Sequence, residues 1–228
     1  MKARSAILRS QAPKKTRTTT RLPYGERRAL VLRQAADFFS EYGLTGQTRS
    51  LAAACGVSQR LLYRLFPNKA ALLDEVYNQA ILGPFKSAWF ELLTDRRKEV
   101  EQRLNQFYGD YYENVLTRKW LRLFLYSSLA EGQMASNYIG AIIMRLLETI
   151  VEEVAHEQNL ALPSDKAVIH EVGWNLHGAI SHFAIRRHLY DASQTVVPET
   201  VIAMHIHTFL SGFANLLKDY QAPQLLAD

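Results

Sequence analysis

Residues Thr48 to Leu73, TRSLAAACGVSQRLLYRLFPNKAALL, constrain this chain more than any other stretch. They read as two short helices joined by a tight turn, then a third helix entered through a Pro-Asn corner. Thr48 is placed to cap the first helix, its hydroxyl oxygen accepting a free backbone N–H. Leu51, Ala52, Ala54 and Cys55 make that helix small and apolar enough to be clasped closely. Gly56 ends it, because glycine reaches the left-handed conformation at little cost. Val57 plugs the corner and Ser58 caps a second helix, Gln59 to Phe66. The arrangement is a helix-turn-helix, which presents its second helix N-terminus first to the major groove of DNA.

Charge agrees with that reading. The net charge of +5 over 228 residues hides an asymmetry. Residues 1–82 carry 14 Lys/Arg against 5 Asp/Glu, and residues 83–228 carry 13 against 17. A basic front on an acidic body suits a polyanion-binding head on a non-binding body. A composition of 48% hydrophobic and 21% charged residues is that of a globular chain with room for one large or two small domains. The single cysteine, Cys55, rules out an internal disulfide and fits a reducing cytosol. No apolar run approaches the ~18 residues of a membrane span.

Residues 1–22 hold Lys2, Arg4, Arg9, Lys14, Lys15, Arg17 and Arg21 and no acid, and are expected to form a disordered basic arm. Either Lys14, Lys15, Arg17 and Arg21 reach phosphates or the minor groove, or the arm is a solvated tail. A first helix is expected from about Glu26 to Tyr42, with Leu30, Ala35, Phe38, Phe39 and Tyr42 at helical spacing and Gly43 as its stop. Asn68 caps the third helix of the head, which runs to about Leu82 with Leu72, Leu73 and Val76 inward. Gly83-Pro84 sets the boundary of a head, residues 23–82, from a body, residues 83–228. Helical periodicity then continues to the end, over Phe85–Leu93, Lys98–Leu116, Arg118–Leu129, Ala135–Leu160, Ser164–Tyr190 and Pro198–Tyr220. The fold class is all-α.

On the second helix of the motif, Leu62 and Phe66 fall on one side and Arg60, Leu61 and Arg64 on the other. Gln59 sits at the tip that reaches base edges. Arginine pairs with guanine, glutamine with adenine, and leucine meets a thymine methyl. Tyr63 lies on the flank, within reach of a phosphate or sugar. Thr48, Ser58 and Lys69 suit phosphates, two of them at helix starts where free N–H groups favour anions.

Thr48, Leu51-Ala52, Ala54 to Ser58, Leu62-Tyr63, Phe66-Pro67, Lys69 and Leu72-Leu73 resemble, in this order and spacing, the DNA-binding motif of the TetR/AcrR family of bacterial transcription regulators. The preceding Ala35-Ala36, Phe38-Phe39 and Tyr42-Gly43 fit as well. The resemblance implies that Thr48, Gln59, Arg60, Leu61, Tyr63 and Lys69 stand at positions that meet DNA. It departs at Leu65, where the family often has His or Tyr, and Arg64 is the substitute for that contact. The resemblance further implies a homodimer on a palindromic operator, a body that binds a small effector among its middle helices, and a four-helix dimer interface from the last two long helices. The expected role is a cytoplasmic repressor released by an apolar or aromatic effector.

The body offers residues for both effector and interface. Leu104, Phe107, Tyr108, Tyr111, Tyr112 and Val115 form one helical stripe, and the next helix adds Trp120, Phe124 and Tyr126. Rings that do not pack densely line a cavity with hydroxyl and indole handles, and rings that do are ordinary core. The expected effector residues are Phe107, Tyr108, Tyr111, Trp120, Phe124, Trp174 and His177, with His170, His177 or Arg145 available to an acid group. Ile169, Val172, Gly173, Leu176, Ile180, Phe183 and Ala184 form the apolar stripe of the penultimate helix, and Ile202, Ile206, Phe209, Phe213 and Leu216 that of the last.

Glu153-x-x-His156 echoes half of a di-iron carboxylate motif, but a second copy is missing and no metal is expected. Nucleophile-elbow, phosphate-loop and dinucleotide motifs are absent, so no cofactor and no enzymatic activity are expected. Two rivals remain at this level. One is a DNA-binding protein without an effector. The other is a helical enzyme with a vestigial head, for which His170, Glu171 and His177 are the one available fragment.

Overall fold

The computed structural model describes residues 22–129, 134–190 and 195–221, and these are helical with no strand. The head is α1 (Tyr24–Tyr42), α2 (Thr48–Ala54), α3 (Gln59–Leu65) and α4 (Lys69–Val76). The body holds α5 (Ala88–Leu93), α6 (Val100–Asn114), α7 (Arg118–Leu129), α8 (Met134–Tyr138), α9 (Met144–Glu157), α10 (Lys166–His188) and α11 (Pro198–Gln221). Two wider π turns extend them: Tyr77–Leu82 continues α4, and Ile139–Ile143 joins α8 to α9. The basic arm, with Lys14, Lys15, Arg17 and Arg21, lies outside the described residues.

The head closes around Val31, Ala35, Phe39, Leu51, Leu62, Phe66 and Leu72, all buried. Gly43, at φ +79°, stops α1 in a conformation that disfavours other residues, and the Tyr126 ring of α7 lies 3.7 Å from where a Cβ would stand. Tyr42 is 70% exposed, because one residue before that stop the helix has already turned away from the core.

In the body, α6 runs through the middle of the packing, with Leu104, Phe107, Tyr108, Tyr111 and Val115 buried. Helices α9 and α10 approach closely at Gly173, where a Cβ would come within 2.7 Å of the Leu147 Cβ. α10 is capped by Asp165, whose carboxylate accepts from the Ala167 N–H at 2.9 Å, and so Ser164, where the sequence reading starts this helix, stands outside it. A carboxylate also complements the helix dipole better than a hydroxyl. Pro198 opens α11, where its missing N–H costs nothing. On α11 Ile202, Ile206, Phe209 and Phe213 are buried, and the stripe ends in Leu217 in place of Leu216, which is half-exposed.

Charged groups hold the body's end together. Arg103 is buried, donates to Glu153 at 2.9 Å and to Glu157 at 3.2 Å, and also bonds the Leu93 carbonyl. Arg96 grips the same Glu153 through two bonds of 2.9 and 3.0 Å. Both Glu153 oxygens are thereby taken by arginines, and His156 is exposed, so the Glu153-x-x-His156 echo is a structural ion-pair cluster.

Head and body meet along α1 and α7. Arg118 pairs with Glu41, Arg122 donates to the carbonyls of Ser40 and Glu41, and Lys119 pairs with Asp37 at 2.6 Å. Cations of one helix therefore meet the carbonyl end of the other, where the helix dipole favours them.

Candidate nucleic-acid interface

The turn of the motif closes by two backbone bonds. Gly56 N–H donates to Ala53 O at 3.0 Å and Val57 N–H to Ala52 O at 3.0 Å, with Gly56 at φ +62°. This is the Schellman pattern, which satisfies the last carbonyls of α2 and aims the chain into α3. Ser58 Oγ then accepts from the Leu61 N–H at 3.2 Å, and Asn68 Oδ1 from the Ala71 N–H at 2.8 Å.

On α3, Leu62 and Leu65 point inward and Phe66 is buried beside them. Leu65 is thus core, and takes no part in the outward face. Gln59, Arg60, Tyr63 and Arg64 are exposed and Leu61 half-exposed. Arg60 and Arg64 make no ion pair among the described residues, so two full positive charges stand on a rigid helix. Tyr63 and Gln59 converge on Thr48: Tyr63 OH lies 3.2 Å and Gln59 Nε2 3.4 Å from Thr48 Oγ1. Thr48 therefore caps no helix. It is the first residue of α2, and its hydroxyl is turned toward α3 and holds two of its exposed side chains in place. Lys69 Nζ donates to Gly46 O at 2.9 Å and lies over the Phe39 ring, so this cation is tied to the loop before α2 rather than standing free.

One residue that sequence reasoning missed joins them. Ser58, Arg60, Leu61, Tyr63 and Arg64 line an open basin whose far wall is Arg27 of α1. The Arg27-Arg28 pair looks alike in sequence, yet the fold separates it. Arg28 pairs with Glu75 and lies over the Phe66 ring, whereas Arg27 makes no ion pair among the described residues. Only the packing of α1 against α4 distinguishes the two.

The expected effector residues come together as one network of rings. Phe107 lies 4.7 Å from Tyr108 and 5.5 Å from Tyr111 by ring centroids, and His177 lies 5.4 Å from both Tyr111 and Trp174. Trp120 stacks on Phe124 at 4.7 Å, and both meet Tyr138. Tyr138, unremarked in sequence, links the two groups through a 3.2 Å bond between its hydroxyl and that of Tyr111. Burial pushes the Tyr138 phenol up to about 12 and the His177 imidazole down to about 4, so both are neutral at physiological pH. His170 pairs with Glu148 at 2.9 Å, and Arg145 lies over the Phe90 ring, so neither joins the cluster. His170, Glu171 and His177 do not assemble, since Glu171 is exposed and His177 is buried among rings. Among the described residues no three His, Cys, Asp or Glu side chains converge as metal ligands would. Cys55 is buried, and burial raises its thiol to about 11, as befits a small core residue.

Residues 31–76 match the family model for bacterial regulatory proteins, tetR family. No curated protein sequence matches the chain. Solved structures are similar across most of its length. A TetR-like transcriptional regulator from Rhodococcus sp. RHA1 is 18% identical, with a TM-score of 0.63, and the match covers 86% of this chain and 99% of that one. A candidate transcriptional regulator from Pseudomonas aeruginosa PAO1 is 18% identical, TM-score 0.65, covering 90% and 98%. A TetR-family transcriptional regulator from Bordetella parapertussis 12822 is 19% identical, TM-score 0.57, covering 83% and 97%. At these identities the structures speak for the fold.

Proposed function

We propose, for a chain that belongs to the tetR family of bacterial regulatory proteins, a cytoplasmic regulator that binds palindromic operator DNA as a homodimer and is released by a small apolar or aromatic effector. The observation that carries this reading is the outward face of α3. Arg60 and Arg64 are exposed with no ion pair among the described residues, and Thr48 braces Gln59 and Tyr63 from behind. Arg60 and Gln59 reach base edges. Ser58, Tyr63 and Arg64, with Leu61 toward a thymine methyl, complete the α3 contacts. Lys69 reaches a phosphate from the start of α4 once its bond to Gly46 is exchanged. Residues 23–82 serve as the reading head and residues 83–228 as the effector-binding and dimerisation body.

One head neutralises few phosphates, so two act together, with their α3 helices about 34–36 Å apart on successive major grooves. The last two helices support the pairing. Contrary to the expectation that no run is long and apolar enough for a membrane span, α11 matches one over Pro198–Lys218 by length and composition. Only 28% of that window is buried within one chain. An apolar helix left this exposed, beside a groove lined by Ala179, Phe209, Gly212 and Leu216 together with the polar Asn175, His205 and Thr208, suits a second copy of the same face.

Selection of bound sequences from a random duplex pool, at physiological salt, tests the reading. An enriched palindrome with half-sites one helical turn apart is expected. Tight but unselective binding would replace the operator reader with an architectural protein.

A further inference from the structure

The rings of the cluster lie against one another, and a cleft lies beside them, where head meets body. A cleft of about 260 Å³ has walls from both units. Arg33 and Ala36 belong to α1, Gln79 and Ala80 to the π turn after α4, and Thr117 and Trp120 to the start of α7. Trp120 is shared. One face of its indole stacks on Phe124 in the cluster, its N–H donates to Ile81 O at 3.2 Å, and it also lines the cleft.

The chemistry of the walls is specific. Ala36, Ala80, Pro84 and Trp120 are apolar. Of the two cations, Lys119 is neutralised by Asp37 at 2.6 Å, whereas Arg33 is exposed and makes no ion pair among the described residues. Asn114 is held by Asp110, whose carboxylate also accepts from Lys86 and Trp89 and so is compensated. The cleft thus keeps one uncompensated guanidinium beside an apolar wall. A planar fork of that kind pairs with a carboxylate through two parallel hydrogen bonds.

We propose that this junction cleft is a binding site for a small aromatic carboxylate, its ring against Trp120 and its carboxylate on Arg33. A ligand there touches α1, the π turn and α7 at once, and so sets the angle between head and body. That consequence for DNA rests on the regulatory reading above, whereas the binding itself does not. The site differs from the expected pocket among the α6 and α10 rings, where neutral Tyr108, Tyr111 and His177 offer a carboxylate no cation.

Calorimetry on the full-length protein without DNA tests the proposal, using 2-naphthoate and its neutral isostere 2-naphthamide. Expected is binding of 2-naphthoate, with 2-naphthamide at least tenfold weaker. Arg33→Gln, at an exposed position, should bring 2-naphthoate down to the level of the amide, and Ala80→Leu should block both. Tyr108→Phe should change neither. Absence of 2-naphthoate binding, equal affinity for acid and amide, or binding that survives Arg33→Gln would overturn the proposal. Loss on Tyr108→Phe would move the site into the ring cluster. The operator selection is read on separate material, so its failure and this one are distinguishable.

Discussion

At the scale of single residues, the proposed reading face would divide base contacts from backbone contacts, and the division can be measured. Arg60→Ala should cost about 1–3 kcal/mol on the selected operator and relax sequence preference at one position in each half-site, as seen by competition with single-base variants. Arg27→Ala should weaken all duplexes alike and flatten the salt dependence of log K by about one unit. If the two variants behave identically, the sorting fails. Gly56 is the residue on which the turn depends. No atom lies within 4 Å of where its Cβ would stand, so Gly56→Ala meets no clash and pays only for φ +62°. A loss of about 1 kcal/mol in thermal unfolding is expected.

At the scale of elements, two buried groups hold helices together and both respond to pH. Glu153 joins α9 to the Arg96 turn and to Arg103 of α6. Burial pushes its carboxyl up, but the hydrogen bonds from Arg96 and Arg103 outweigh burial and hold it below the usual glutamate value. A depressed carboxylate contributes stability that is present above the unfolded pKa and lost as pH falls through the folded one. Glu153→Gln leaves buried Arg103 with Glu157 as its remaining counter-charge and should cost about 1.5–3 kcal/mol at neutral pH by denaturant unfolding. His177 of α10 has the same sign for a different reason. Burial holds it neutral to about pH 4, while in the unfolded chain it takes a proton below about 6.5. Folding stability should therefore fall with acid between these values by up to about 1.4 kcal/mol per pH unit, and His177→Leu should remove that part of the slope.

At the scale of the molecule, the proposed pairing of two copies makes its own demand on α11. Gly212 faces the groove between α10 and α11, and nothing lies within 4 Å of where its Cβ would stand. A single chain therefore accommodates Gly212→Glu without loss, and a second copy seated there does not. Sedimentation should show a dimer for the unmodified protein and a monomer for the variant, with unchanged helicity. A variant that stays dimeric would place the interface elsewhere. The head–body contact works at the same scale: Lys119, Arg118 and Arg122 of α7 grip the last turn of α1, while Trp120 and Phe124 of the same helix face the ring cluster. One rigid helix thus touches both the head and the ring cluster.

The all-α class, the Gly56 turn with its Ser58 and Asn68 caps, and the inward set of the head were legible in the sequence. Each depends on contacts within a few residues, so spacing alone carries it. The stripes of α6 and α10 were legible for the same reason. What the sequence did not contain was which of several equivalent groups finds a partner from a distant helix. Arg28 is spent on Glu75 and Arg27 left free, Thr48 turns from capping α2 to bracing α3, and Lys69 folds back on Gly46. Leu65 goes into the core, and Tyr138 closes the ring network. The rings of α6 pack against one another, and a cleft opens at the junction beside Trp120. These outcomes are decided by how helices meet across tens of residues, where burial and the pairing of charge are properties of the packed structure and of no local pattern.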